Sequence, residues 1–119
     1  MNCLFIMNES CCMPEVITYL SNNRVVYEIA NDQLCGIQKA QETIFDVIVL
    51  DVLQFNFQID NAIKIIKECN PDARIIVRTD TNSKELEAKV RKEKIYFYHV
   101  KSFGVTDFTT ALASALQIK

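Results

Sequence analysis

FDVIVLD, Phe45 to Asp51, is the stretch whose reading decides the fold. Its VIVL core is a continuous apolar run without polar alternation, as expected of a strand buried on both faces, and such strands belong to parallel sheets covered by helices. The run ends on a carboxylate. Working outward, RIIV (Arg74 to Val77) repeats the pattern, and Cys3 to Ile6, Val25 to Ile29 and Ile95 to Val100 complete a set of five expected strands with Val47 to Leu50.

Segments of helical spacing lie between and after these runs: Pro14 to Ser21, Asp32 to Glu42, Ile59 to Cys69, Ser83 to Lys92 and Thr106 to Gln117. The order is a strand and a helix repeated five times. Right-handed crossovers then predict an α/β sandwich, with a five-stranded parallel sheet in the order 2-1-3-4-5 and helices on both faces. Boundary residues agree: Pro14 suits a first helical turn, Ser83 and Thr106 suit N-caps, and Asn70-Pro71 stops the third helix. The last helix carries an apolar stripe of Phe108, Ala111, Leu112, Ala115 and Leu116. The fourth offers only Leu86, Ala88 and Val90 among many charges, so it is expected to be weakly anchored. Such a charged helix is most often a solvated face; the sharper reading is a movable surface for a partner.

The 119 residues, half of them apolar, suit one domain spanning 1–119. The formal charge of −2 comes from 15 acids and 13 bases scattered along the chain, which argues against direct binding of nucleic acid. No apolar stretch approaches the roughly 18 residues that would span a bilayer, and no basic segment precedes a long apolar one, so export and membrane insertion are disfavoured. Cys3, Cys11, Cys12, Cys35 and Cys69 form an odd set without CxxC pairing, which suits reduced thiols in a cytoplasmic protein.

In an open α/β sheet, ligands collect outside the carboxyl ends of the strands. The polar residues expected there are Asn8 and Glu9 after the first strand, Asp51 after the third, Thr79 and Asp80 after the fourth, and Lys101 and Ser102 after the fifth. A carboxylate, a hydroxyl and an ammonium thus converge. FDVIVLD, RIIVRT (Arg74 to Thr79) and YHVKSF (Tyr98 to Phe103), at these intervals, resemble the receiver domains of two-component response regulators. The resemblance covers essentially the whole chain, and the joint spacing of Asp51, Thr79 and Lys101 carries it more than any one of them.

That resemblance implies a flavodoxin-like (βα)5 doubly wound sandwich acting in a phosphorelay as a signalling module, not an enzyme. Asp51 would accept the phosphoryl group, helped by Thr79 and Lys101, and Thr79 and Tyr98 would form the switch. Magnesium would lie at Asn8, Asp51 and Leu53. The partner would be a sensor histidine kinase or another signalling protein. A homodimer or partner face is expected on the fourth helix, fifth strand and fifth helix, where Tyr98→Ala should alter association more than folding. Ser102 stands where the family commonly has a proline, which removes the usual reason for a cis peptide bond. Output is expected through a partner, self-association or a longer protein.

One departure bears on chemistry. The family usually closes the first strand with two adjacent acids, and this chain has Met7-Asn8. A thioether offers nothing to a hard cation, and an amide oxygen ligates without charge, so magnesium is expected to bind weakly or not at all. Hence a second reading, a degenerate pseudo-receiver acting as an interaction module without phosphorylation. A third, a thiol-based phosphocarrier or redox protein using Cys11 or Cys12, lacks an arginine at the spacing of a phosphate-cradling loop. Flavin or nucleotide binding lacks a glycine-rich turn, since only Gly36 and Gly104 exist. His99 reads as a partly buried structural imidazole with no evident partner.

Overall fold

The computed structural model describes residues 1–7, 14–52, 59–80 and 83–117. Strands β1 (Asn2–Ile6), β2 (Val26–Ala30), β3 (Val47–Asp51), β4 (Arg74–Thr79) and β5 (Phe97–Val100) alternate with helices α1 (Pro14–Asn22), α2 (Gln33–Glu42), α3 (Ile59–Cys69), α4 (Lys84–Arg91) and α5 (Val105–Leu116). The strands form one five-stranded parallel sheet in the order β2-β1-β3-β4-β5, as the alternation predicts.

The two-residue period of the central strands sends their side chains into two apolar layers. Leu4, Ile6, Ile48, Leu50, Ile75 and Val77 pack with Ile63 and Ile66 of α3 on one face. Cys3, Phe5, Val47, Val49 and Ile76 pack with Leu20 of α1 and Phe108 and Leu112 of α5 on the other. Both layers exclude water, which is why β3 shows no polar alternation: all five of its residues are buried, Asp51 included. On α2, Gly36 lies so close to β1 that an added Cβ would meet the Ile6 side chain at 2.5 Å, so only glycine allows this approach.

Helix ends follow local chemistry. The Asp32 side chain accepts from Cys35 N at 2.7 Å to cap α2, and Ser83 Oγ accepts from Leu86 N at 3.2 Å to cap α4. At the end of α3, Asn70 is buried and clamps the α2–β3 connection. Its Oδ1 accepts from Phe45 N at 2.7 Å, and its Nδ2 donates to Ala40 O at 2.6 Å and Thr43 O at 3.3 Å. The fourth helix is sparsely anchored, with only Val90 buried and Leu86 packed at the margin of the core. Ion pairs Lys89–Asp60 at 3.5 Å and Lys64–Glu93 at 3.8 Å lace its end of the fold to α3.

Some boundaries differ from those read in the sequence. Strands β3 and β4 extend through Asp51 and Thr79, because the ladder still pairs Asp51 with Arg78 and Thr79 with Val100. Strand β5 begins at Phe97, where its pairing with Ile76 begins. Thr106 is not the cap of α5. A 3-10 turn over Lys101–Phe103 leads to Gly104, whose φ of 100° makes it the N-cap without a side-chain bond. That left-handed backbone suits glycine, and Thr106 falls inside the first helical turn. No peptide bond among the described residues is cis.

Candidate functional site

Three strand ends meet at the carboxyl edge of the sheet. Asp51 closes β3 and is wholly buried. The 3-10 turn after β5 brings Lys101 back over the sheet, and its Nζ lies 2.7 Å from Asp51 Oδ2 and 3.2 Å from Asp80 Oδ1. One ammonium therefore serves two carboxylates of unlike surroundings, since Asp51 has no exposed surface whereas the Asp80 side chain is 48 % exposed. Burial disfavours the charge on Lys101, but the two carboxylates outweigh it and hold the group above its ordinary value.

Thr79, the last residue of β4, is also buried, and its side chain meets the Tyr98 hydroxyl. The same hydroxyl reaches toward Ser83 O at 3.5 Å, a long contact that joins β5 to the cap of α4. Burial pushes the Tyr98 phenol above its usual range, against the contacts with Ser83 and Thr79. Tyr98 packs in the apolar layer with Val77 and Val100, so truncating it to alanine would open the core as well as the expected partner face. Tyr98→Phe keeps the ring in that layer and removes only the hydroxyl.

Of the residues expected to hold a metal, only Asp51 is among those described; Asn8 and Leu53 lie outside them, as do Glu9, Cys11 and Cys12. Met7 is described, and it is buried in the apolar layer that also holds Phe5, Val16 and Phe108. Its thioether belongs to the core and offers no oxygen to a cation. The carboxylate that remains at Asp51 is already paired with an ammonium.

Two residues behind this edge were not anticipated as a pair. Arg78 and His99 stand side by side in the β4–β5 register, and Arg78 stands beside Asp51 in the β3–β4 register. Arg78 is buried with its guanidinium 4.7 Å from the Phe108 ring centroid. His99 is wholly buried, not partly so, and has a partner: its Nδ1 lies 3.3 Å from Asp107 Oδ2 on α5. Burial, and after it the Arg78 charge, pushes His99 below its ordinary value, with Asp107 opposing. Eight residues separate His99 from Asp107, so only the docking of α5 on β5 could reveal the contact.

A groove of about 320 Å³ runs along this side between β5 and α5, lined by Tyr96, Phe97, Asp107, Thr110, Ala111 and Ser114. Another hollow, of about 210 Å³ and bounded by Met1, Asp46, Asp72 and Arg74, lies at the amino edge of the sheet, away from the ends of β3 and β4. No described helix is long and apolar enough to cross a membrane.

This architecture, with an acid, a hydroxyl residue and a lysine at the carboxyl ends of β3, β4 and β5, defines a doubly wound domain of the receiver class. No family model and no curated protein matches the sequence, but solved structures do. The receiver domain of NtrC4 from Aquifex aeolicus is 28 % identical with a TM-score of 0.80, the match covering 98 % of this chain and 96 % of that one. The beryllofluoride-activated NtrC4 receiver domain dimer gives 28 % and 0.82, covering 98 % and 96 %. A response regulator from Burkholderia pseudomallei, with a phosphorylated aspartic acid, calcium ion and citrate, gives 22 % and 0.79 over 98 % of this chain and 69 % of that one. The fold is that of the response-regulator receiver domain.

Proposed function

We propose that this chain is the receiver module of a phosphorelay, with Asp51 as phosphoryl acceptor, Lys101 as the counter-charge and Thr79 with Tyr98 as the switch. The observation that carries the proposal is the 2.7 Å ion pair between Lys101 and the wholly buried Asp51. A buried carboxylate that only capped a loop would not need a lysine folded back over it, whereas a nucleophilic carboxylate receiving an anion needs a fixed cation beside it. The phosphorylated aspartic acid of the Burkholderia protein and the beryllofluoride-activated neighbour support the same reading. The donor would be a histidine kinase or another phosphoprotein in the cytoplasm. The surface of α4, β5 and α5, which carries Tyr98 and the groove beside Phe97, would face a partner or a second copy, and the activated dimer among the neighbours supports self-association.

The burial of Met7 favours a specific form of this reading. Magnesium would bind weakly and Asp51 would be phosphorylated slowly, so that part of the signalling rests on the unphosphorylated conformation. A magnesium ion, where bound, would screen the charge between Asp51 and the incoming phosphoryl group, with Asp51 and Asn8 as its side-chain ligands. Labelling with a small-molecule phosphodonor at fixed magnesium tests this. Asp51 should label slowly, Asp51→Asn should not label, and Met7→Asp with Asn8→Asp should label faster. Labelling of the unaltered protein at the rate of the double variant refutes the slow-site form, and labelling of Asp51→Asn refutes the acceptor.

A further inference from the structure

Asp80 has no part in the function proposed above, yet it holds one of the two carboxylates on Lys101. It directly follows Thr79 at the end of β4 and stands three residues before Ser83, the cap of α4. The Lys101–Asp80 contact thus brings the residue that follows β4 to the same ammonium that neutralises Asp51. We propose that Asp80 is a latch: in the resting protein it shares Lys101 with Asp51, and this sharing both weakens anion binding at Asp51 and holds the start of α4 against the site. The inference rests on the reading of Asp51 as an acceptor, and deepens it by adding a positioning residue.

The physical case is electrostatic and geometric. Asp51, Lys101 and Asp80 together carry one net negative charge, whereas Asp51 and Lys101 alone would carry none. An anion arriving at Asp51 therefore meets an extra unit of repulsion, and a lysine whose donors are partly engaged elsewhere. Two oxygens on one nitrogen, at 2.7 Å and 3.2 Å, lie within about 6 Å of each other, so the repelling charge is close to the anion's seat. Because Asp80 is half exposed, solvent screens it. At a separation of about 6 Å and a dielectric between about 40 and 80, the penalty is about three- to tenfold in affinity. When an anion does occupy Asp51, Lys101 turns to it, Asp80 is released, and the sparsely anchored α4 loses one of its ties to the site.

The test uses beryllofluoride as the phosphoryl analogue at fixed magnesium, with binding read from backbone amide NMR at Thr79 and Ser83. Hydrogen exchange of the α4 amides is measured without analogue. Asp80→Asn should bind beryllofluoride about three- to tenfold more tightly and exchange its α4 amides severalfold faster, and Asp80→Glu should restore both. In a Lys101→Met background the Asp80→Asn gain should shrink, because the ammonium that holds the Asp80 carboxylate within about 6 Å of the Asp51 carboxylate is gone. Unchanged or weaker binding in Asp80→Asn, or a gain that persists undiminished without Lys101, overturns the latch. If neither the parent nor Asp80→Asn binds the analogue, the acceptor reading of Asp51 fails. The latch is then judged on exchange alone, where equal rates in parent and variant overturn it.

Discussion

Replacing Lys101 with methionine should cost this protein a large share of its stability. Methionine keeps the length and apolar stem of the lysine and removes only the charge, so the change isolates what the ammonium does for Asp51. The carboxylate has no exposed surface, and the Lys101 side chain is 20 % exposed. Removing one partner of a fully buried pair typically costs 3–5 kcal/mol, and the residual water access to Lys101 argues for the low end, about 3 kcal/mol. The half-exposed Asp80 should contribute under about 1 kcal/mol to that loss. In a domain of this size the total corresponds to a fall in melting temperature of about 10 °C. Urea unfolding at neutral pH reads the change, with an unaltered slope showing that only stability has moved. In an Asp51→Asn background the same replacement should cost only about 1 kcal/mol, giving a coupling energy near 2 kcal/mol. A loss below about 0.5 kcal/mol in the single variant, or equal losses in the two backgrounds, would refute the view that this pair is a buried one.

Three other outcomes follow from named contacts. Tyr98→Phe removes the hydroxyl that meets Thr79 and Ser83 but keeps the packed ring; it should change self-association or partner binding, measured by sedimentation, while costing about 1 kcal/mol of stability or less. His99, the one histidine in the chain, has its folded value pushed below the ordinary 6.5, so the unfolded chain takes up a proton first as pH falls. Its contribution is intact above about pH 6.5 and is lost below it, so the urea midpoint should drop between pH 7.5 and 5.5, and His99→Phe should flatten that drop. Asn70→Ala strands the Phe45 amide and the Ala40 carbonyl in the interior and should cost about 2–3 kcal/mol in the same unfolding assay.

The fold was legible because burial leaves a periodic trace. The uninterrupted VIVL and RIIV runs can only be interior strands in a sheet covered on both faces, and the bounds of α3, Ile59 to Cys69, follow from its apolar spacing and the Asn70-Pro71 stop. The weak anchoring of α4 was legible for the converse reason, a lack of apolar residues. The strand-end carboxylate, hydroxyl and lysine were legible because topology alone sends strand ends to one edge. What sequence did not reveal depends on the aim of individual side chains. Lys101, the first residue of the 3-10 turn after β5, reaches a second carboxylate at Asp80, a contact set by side-chain aim and not by strand order. The partners of Asn70 lie 25 to 30 residues away. Gly104 took the capping place expected of Thr106 because the chain enters α5 through a left-handed residue, a choice made by the turn before it.

The arrangement of charge bears on how such a domain would signal. Along the carboxyl edge, β3, β4 and β5 present Asp51, Arg78 and His99 in adjacent register, with Lys101 above them and Met7 buried nearby in the apolar layer. The cations here are covalent parts of the chain, so they cannot dissociate as a bound ion can. A carboxylate neutralised in this way needs no bound ligand to balance its charge. The same arrangement limits what a phosphoryl group could gain on arrival, because it must compete for a lysine that two carboxylates already hold. Under the proposed function, each contact that occupies Lys101 would favour the resting state and each that frees it the active state. Asp80 sits where that balance can be altered with least disturbance to the core, since it is half exposed and outside both apolar layers. A change at Asp51 or Thr79 would disturb buried packing as well as charge, whereas a change at Asp80 alters charge almost alone.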